Sequence, residues 1–212
     1  MGDQKEFKFK CRRCGNCCKD KNTLVNVTYH DLIRIINGLD LNIDETLEIL
    51  GFYIFDKVPS KEDLEKMVVP PIKTERGLAF IGLKKDSTGK CYFYNKKNNK
   101  CMIYKLRPLF CRTFPFSYKI ERNKEDKKKA KIKMFYTDKG KDYCKGIDSE
   151  APVVDMEKMK MLGKKTINQL NENNILIEKW NEAVNEGKIE PTARNFLLTV
   201  FDLLEKNPKK AS

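Results

Sequence analysis

The segment CRRCGNCC, residues 11–18, decides how the rest of this chain is interpreted. It holds Cys11, Cys14, Cys17 and Cys18, four of the eight cysteines in a 212-residue chain that contains one histidine. Sulfur ligands suit zinc, Cu(I) and iron–sulfur clusters far better than hard cations do. A cysteine cluster with almost no imidazole therefore predicts a site for a soft metal or an iron–sulfur cluster.

The remaining cysteines lie far downstream, so a site that uses both groups has to be closed by the fold. Nine residues separate Cys91 from Cys101 and nine separate Cys101 from Cys111, and Cys144 follows later. Ribbon-type zinc sites use two separated CxxC pairs, and the downstream spacing supplies no second pair. The spacing therefore favours an iron–sulfur cluster, with structural zinc as the alternative.

Within the first group, Cys11, Cys14 and Cys17 follow at steps of three residues. Bacterial ferredoxins have the same step, and three consecutive members of their run bind one [4Fe-4S] cluster. Gly15 predicts a positive φ in the tight turn. The side chain of Cys18 diverges from that of Cys17, so it could serve a second site. Two four-sulfur sites and one cluster beside a set of redox-active thiols both remain open.

The composition indicates a soluble globular chain with 40% hydrophobic residues, enough for one large domain or two small ones. No apolar run reaches the ~18 residues that a membrane span needs, and residues 1–10 have no apolar signal-peptide core. We therefore expect a cytoplasmic protein with no membrane partner. Reducing cytosol favours metal-bound cysteines over disulfides.

A formal net charge of +13 raises the question of nucleic-acid binding. Most of the excess is lysine that is scattered and mixed with glutamate, which is typical of a solvated surface. The charged segment NKEDKKKA, residues 123–130, is interpreted as an exposed loop tip, with a nucleic-acid contact as the alternative. The charge pattern as a whole does not predict nucleic acid as a partner.

Helix and strand signals alternate through the first part of the chain. One predicted helix starts at Thr28, with Asp31 at its third helical position, and stops at Gly38. A second runs from about Asp44 to Leu50, and a third starts at Ser60. Strand signals cover residues 78–83, a hairpin over 91–104 around NKKNN, and a second pair over 116–122 and 131–137.

From residue 153 the apolar pattern takes a helical period and predicts three helices, the last two separated by Gly187 and Pro191. Trp180 is predicted to pack in the core. We therefore predict an α+β chain. Residues 1–150 form a small cysteine-rich metal-binding domain of short helices and antiparallel hairpins, and residues 151–212 form a C-terminal three-helix segment packed on it.

Conventional catalytic groups are sparse, because no Walker loop, dinucleotide fingerprint or Ser-His-Asp set is present and His30 stands alone. Arg107 and Arg112 flank Cys111, where positive charge favours the deprotonated thiols that bind metals. They could alternatively bind a carboxylate or phosphate of a substrate or cofactor. The sequence leaves open whether the protein is an enzyme.

Four motifs carry a resemblance to a known family: CRRCGNCC at 11–18, TYHDLIRI at 28–35, GKCYF at 89–93 and CMIYKLRPLFCRTFPF at 101–116. Together they resemble the YkgJ-type CxxCxxCC proteins, described as a zinc- or iron-chelating domain or an iron–sulfur-cluster-containing protein. The resemblance implies a ligand set of Cys11, Cys14, Cys17, Cys18, Cys91, Cys101 and Cys111, with Cys144 as the trailing cysteine.

Two main hypotheses follow from the resemblance and the residues together. The first is an iron–sulfur or zinc protein in electron transfer, redox sensing or metal handling, with an unidentified protein or redox partner. The second rests on family members similar to flagellin lysine N-methylases, which implies S-adenosylmethionine as cofactor and a lysine acceptor, with Arg107 or Arg112 helping to hold the donor. A structural zinc module for protein interaction is a third alternative.

Overall fold

The structure is a computed structural model that describes residues 6–122 and 130–206. The described helices are α1 (Asn16–Lys19), α2 (Tyr29–Leu39), α3 (Ile43–Ile49), α4 (Lys61–Lys66), α5 (Leu109–Thr113), α6 (Asp138–Tyr143), α7 (Met156–Asn185) and α8 (Ala193–Lys206). The described strands are β1 (Leu50–Ile54), β2 (Ile72–Thr74), β3 (Gly77–Leu83), β4 (Tyr94–Asn95), β5 (Lys100–Cys101), β6 (Phe116–Arg122) and β7 (Ala130–Tyr136). The α+β class is confirmed.

Helix α2 begins where the capping signals predicted. The Thr28 hydroxyl accepts a hydrogen bond from the Asp31 amide, and the Asp31 carboxylate accepts one from the Thr28 amide. The predicted stop at Gly38 is wrong, because the helix continues to Leu39 and Asp40 takes the left-handed conformation, with φ 55°. Gly38 instead allows close packing, since a Cβ there would lie 2.5 Å from Cδ1 of Leu106.

Strands β1, β3 and β2 form an antiparallel sheet in that order, with Leu50 of β1 opposite Leu83 of β3. The sequence predicted only β3, because its apolar run is the longest. Leu50 was predicted as the end of a helix and instead begins β1. The short strands β1 and β2 are set by pairing with β3, so local sequence carries little signal for them.

Helix α7 is one continuous element where the apolar period predicted two helices, so the three-helix C-terminal segment is wrong in the described residues 151–206. The polar residues 171–174 contain no glycine or proline that would end the helix. Asn173 is buried, and its Oδ1 accepts a hydrogen bond of 2.9 Å from the Tyr29 amide. The contact with α2 therefore explains why a buried residue within this helix is polar.

The C-terminal helices share the main hydrophobic core with the three-stranded sheet and α2. Asn181 of α7 binds the backbone along the edge strand β2. Its Oδ1 accepts a hydrogen bond from the Lys73 amide at 2.7 Å, and its Nδ2 donates one to the Pro71 carbonyl at 3.0 Å. Trp180, predicted as a core residue, is buried and donates from Nε1 to the Lys73 carbonyl at 3.0 Å. The division at residue 150 stays a prediction, but the packing across it is extensive.

Strands β6 and β7 form the second predicted hairpin, in antiparallel register. A smaller core of Phe7, Phe116 and Met134 lies under it, and the Phe116 ring stacks on Tyr136 with centroids 5.0 Å apart. Most of the charged loop, residues 123–129, lies outside the described residues. Among the helices of the described chain, none has the length and apolarity that a membrane crossing requires.

Replacing Asn181 should test how firmly α7 is attached to the sheet edge. Asn181→Ala leaves the Lys73 amide and the Pro71 carbonyl without their partners. Partly buried groups that lose hydrogen bonds cost about 1–3 kcal/mol, so we expect the free energy of unfolding to fall by about 2 kcal/mol. Urea denaturation followed by circular dichroism measures it.

The matched control is Asn171→Ala, at an exposed position of the same helix. It makes the same change in helix propensity and should leave the unfolding midpoint unchanged or slightly raised. Equal effects of the two substitutions would show that the Asn181 contacts contribute nothing to stability.

Candidate metal centre

The CRRCGNCC segment folds into a tight turn that runs into α1. Arg13 and Gly15 both take positive φ, 51° and 72°, and the Gly15 carbonyl accepts from the amides of Cys18 and Lys19 at 3.0 and 3.1 Å. The predicted positive φ of Gly15 is confirmed. A side chain at this position would also clash, because its Cβ would lie 2.6 Å from Cε2 of Tyr94.

The backbone joins this turn directly to the segment that carries the next cysteines. The Cys91 amide donates to the Cys18 carbonyl at 2.9 Å. Cys101 lies in β5 opposite Tyr94 of β4, so the short hairpin returns it toward Cys91. Cys91 and Cys101 both pack against the edge of the main core. Residues far apart in sequence are therefore held together by main-chain contacts.

Cys111 is carried by the five-residue helix α5, whose start is fixed by a buried carboxylate. Asp31 is fully buried, and its Oδ1 accepts from the Leu109 amide at 2.9 Å. The same carboxylate pairs with Arg34, and Arg34 also donates to the Arg107 carbonyl at 2.7 Å. The first turn of α2 thus positions the CMIYKLRPLFC motif.

The closest thiol contacts centre on Cys18. Hydrogen bonds with the thiols of Cys101 and Cys17 raise the pKa of Cys18. The hydrogen bond from Cys18 lowers the pKa of Cys17 to about 7 and that of Cys101 also to about 7. Among these three thiols, the thiolate form is therefore favoured at Cys17 and Cys101 and disfavoured at Cys18.

Cys91 and Cys111 complete what we call the inner cysteine group: Cys17, Cys18, Cys91, Cys101 and Cys111. Burial raises the pKa of Cys91 to about 11 and also raises the pKa of Cys111, and repulsion from neighbouring thiols acts in the same direction. Such mutual repulsion acts only over short distances in a protein. A cation that binds several of these sulfurs would relieve it.

Cys11, Cys14 and Cys144 form an outer cysteine group on the neighbouring surface. The Lys10 amide donates to the Gly146 carbonyl at 3.0 Å, and Asn16 Nδ2 donates to the Tyr143 carbonyl at 3.4 Å. These contacts bring the N-terminal turn to the end of α6. Burial raises the pKa of Cys144, and the neighbouring Cys14 and Cys17 raise it further.

All eight cysteines are free thiols. Within residues 6–122 and 130–206, no three Cys, His, Asp or Glu side chains are gathered closely enough to hold a metal ion as they stand. The chemistry of the donor set nevertheless fits a thiophilic metal or cluster. Which of the eight cysteines bind it stays a prediction.

Arg107 lies beside the inner cysteine group and lowers the pKa of both Cys17 and Cys101. Its guanidinium carbon is 3.7 Å from the Tyr104 ring centroid, and that of Arg13 is 4.1 Å from the same centroid. Burial lowers the pKa of Arg112, and the nearby Arg34 lowers it further. The structure therefore associates Arg107 with the thiols, while binding of a cofactor by Arg107 or Arg112 stays a prediction.

Two residues with clear roles around the site were not among the candidates from sequence. Arg34 links Asp31 to the Arg107 backbone, and Tyr104 holds two arginines beside the cysteines. Both lie inside the recognised motifs TYHDLIRI and CMIYKLRPLFC, so the motif boundaries contained the signal. Their roles depend on contacts between segments that sequence spacing does not reveal.

His30 has the ordinary polar role that its position predicted. Its Nε2 lies 3.1 Å from Oε2 of Glu172, and the Tyr29 hydroxyl donates to the same oxygen at 2.9 Å. These contacts connect α2 to α7.

The comparison with known families agrees with the motifs. Residues 10–145 match the CxxCxxCC family, which carries the description "Putative zinc- or iron-chelating domain". The chain belongs to this family. An uncharacterised protein of Methanocaldococcus jannaschii, MJ0661, is 31% identical over 140 residues, which cover 66% of this chain.

The chain spans 58% of the length of that relative. No solved structure shows a significant match. Neither the family description nor the name of the relative mentions S-adenosylmethionine or methyl transfer. The family description and the thiol chemistry of this chain thus both indicate chelation of zinc or iron.

The thiol contacts lead to a prediction for metal-free, reduced protein. Cys18→Ala removes the hydrogen bond to Cys101 and should raise the pKa of Cys101, and Arg107→Gln should raise it by a smaller amount. Because the thiolate is the reacting species, alkylation of Cys101 at pH 7 should slow in both variants. Mass spectrometry of the Cys101 peptide after timed iodoacetamide labelling over pH 5–10 measures it.

Arg76→Gln is the control, since it removes one exposed positive charge at the turn between β2 and β3. Its labelling profile should match that of the unmodified protein. If Cys101 titrates identically in all of these proteins, Cys18 and Arg107 do not set its ionisation.

Proposed function

We propose that this protein binds a [4Fe-4S] cluster through clustered cysteines and uses it in electron transfer, redox sensing or metal handling. One observation carries the proposal: the Cys91 amide donates to the Cys18 carbonyl at 2.9 Å, and Cys101 lies in the β4–β5 hairpin that follows Cys91. The N-terminal turn, the β4–β5 hairpin and α5 each carry cysteines whose charges act on one another. Thiolate sets of this kind hold iron–sulfur clusters.

The adjacent pair Cys17 and Cys18 suggests how the eight cysteines divide. Both lie in α1, where consecutive side chains point about 100° apart around the helix axis. Cys18 interacts with Cys101 and Cys91. Cys17 acts on Cys91, Cys101 and Cys111 as well, but of the two it is Cys17 that also acts on Cys144. We propose Cys18, Cys91, Cys101 and Cys111 as ligands of the cluster, and Cys11, Cys14, Cys17 and Cys144 as a second four-sulfur set.

The chain's own residues prepare the site for a cation. The hydrogen bonds from Cys18 and the charge of Arg107 favour the thiolate forms of Cys17 and Cys101. The thiols of Cys18, Cys91 and Cys111 have raised pKa values and give up protons on binding. An iron–sulfur cluster bound there would supply one-electron redox chemistry. Binding also requires the sulfurs to converge further than they do in the described structure.

Structural zinc is the second candidate, because the same thiolates suit zinc and the family description includes it. A zinc site of this kind would make the protein an interaction module, since zinc has no redox chemistry of its own. An unidentified protein or redox partner is part of the proposal in either form.

Anaerobic purification or reconstitution with iron and sulfide should give a brown protein that contains both elements. Cys101→Ser should lose the cluster of the first set, and Cys144→Ser should lose only the metal of the second set. Elemental analysis and electron paramagnetic resonance of the dithionite-reduced proteins distinguish the two centres. Serine preserves the size of the side chain, so a change in iron content reports ligation.

Two results would contradict the proposal. A colourless protein that holds only zinc after anaerobic preparation rules out the cluster. Loss of all metal on either single substitution rules out the division into two sets, because it would mean one shared site.

The raised thiol pKa values also predict the pH dependence of metal binding. Cys18, Cys91 and Cys111 carry protons at neutral pH, and a metal has to displace the protons of the thiols it binds. Affinity for Zn²⁺ should therefore rise with pH between 6 and 8, by about tenfold per unit for each proton released. Competition with a chromophoric chelator measures it, and an affinity independent of pH would contradict it.

A further inference from the structure

A cleft of about 580 Å³ lies between the inner cysteine group and α7. Cys17 and Cys111 form part of one wall, and Thr166 and Leu170 of α7 form part of another. Small-molecule sites typically have volumes of about 300–1,000 Å³ and mainly apolar walls. The size and the position beside the cysteines both fit a ligand site.

The lining of the cleft is mostly aromatic and aliphatic. Phe80 comes from β3, and Phe110, Phe114 and Phe116 come from the continuous stretch that joins α5 to β6. The Phe114 ring also stacks on Tyr143, with centroids 5.8 Å apart, which fixes one side of the cleft. Walls of this kind favour an apolar ligand body through burial of its surface.

The two charged residues that line the cleft, Lys139 and Asp138, each pair with an oppositely charged residue next to it. Lys139 Nζ lies 3.3 Å from Oδ2 of Asp20, and Asp138 Oδ1 lies 3.0 Å from Lys141 Nζ. Because the charges cancel locally, the cleft offers no net charge to attract an ionic ligand.

Two lining residues carry polar atoms that have no hydrogen-bond partner within the described chain. They are Oδ1 of Asn26 and the hydroxyl of Tyr118, both shielded from solvent. Burial raises the pKa of Tyr118 to about 12, so its hydroxyl remains a neutral donor. A buried polar group without a partner destabilises the protein, and a hydrogen bond to a ligand, reached by a small side-chain rotation, would offset that cost.

We propose that this cleft binds an uncharged, mainly apolar small molecule that carries a hydrogen-bonding group, directly beside the inner cysteine group. The cleft itself does not depend on the metal. Its consequence for the metal rests on the proposed function: because Cys17 and Cys111 border both places, binding in the cleft and binding at the cysteines should influence each other's affinity.

Nile red is a suitable probe, because it is flat, uncharged and mainly apolar, carries a carbonyl group, and fluoresces strongly in apolar sites. The full chain, prepared anaerobically with its metal, should bind it saturably. Leu170→Trp fills the cleft from α7 and Met67→Trp fills it from the end of α4, and each should weaken binding by about tenfold or more. Tyr118→Phe should weaken it by about threefold or more through loss of the hydroxyl.

Ile175→Trp is the matched control, since it adds the same side chain at an exposed position of α7. Its affinity should equal that of the unmodified protein. Two tryptophan variants from different segments guard against a folding defect in one of them, and the melting temperature of each identifies such a defect.

Absence of saturable binding, or equal affinity in Leu170→Trp, Met67→Trp and the control, would overturn the proposal. Equal affinity in Tyr118→Phe would overturn the role of the hydroxyl. Metal content, measured on the same samples, separates this test from the proposed function. If the protein holds its cluster but does not bind the probe, the ligand site alone is refuted. If the anaerobic preparation contains no metal but still binds the probe, the metal function alone is refuted.

Discussion

The buried carboxylate of Asp31 is the interaction on which the cysteine site depends. It accepts hydrogen bonds from the amides of Thr28 and Leu109 and pairs with Arg34, so one side chain joins the start of α2 to the start of α5. A buried charge costs several kcal/mol unless it is fully paired. Here each carboxylate oxygen has a partner, and the cost is offset only when both helix starts are in place. The position of Cys111 therefore follows from the cap of a helix far away in sequence.

The same carboxylate also organises positive charge around the site. Arg34 pairs with Asp31, while Arg107 extends from the adjoining backbone toward the thiols. One carboxylate does not neutralise all the arginines near it, and the surplus favours ionised sulfur. Four thiolates around a divalent metal or a [4Fe-4S]²⁺ core carry about −2, so a filled site would balance this surplus. Charge balance thus links the helix cap to the chemistry of the cysteines.

The comparison of sequence with structure separates local from long-range information. The α2 capping box, the Gly15 turn, β3 and the hairpin around NKKNN were predictable, because each depends on a few neighbouring residues. The continuity of α7 was not predictable, because the polar Asn173 within it is explained only by its hydrogen bond with the Tyr29 amide of α2. The eight cysteines were identified from sequence as a set. Their separation into inner and outer groups depends on pairings such as the Cys91 amide with the Cys18 carbonyl, which spacing alone does not encode.

The cysteines are carried by the parts of the fold with the least regular structure. Helix α1 has four residues, α5 has five, and β4 and β5 have two each. The main core, by contrast, is built from α2, the three-stranded sheet and the C-terminal helices, with Cys91 and Cys101 only at its edge. Such short elements gain little from cooperative hydrogen bonding. A thiolate-bound metal contributes on the order of 10 kcal/mol in small metal-dependent domains. A metal at these cysteines would therefore stabilise mainly the turn, the β4–β5 hairpin and α5, which the core holds loosely, whereas α2, the sheet, α7 and α8 have enough packing to keep their arrangement without it.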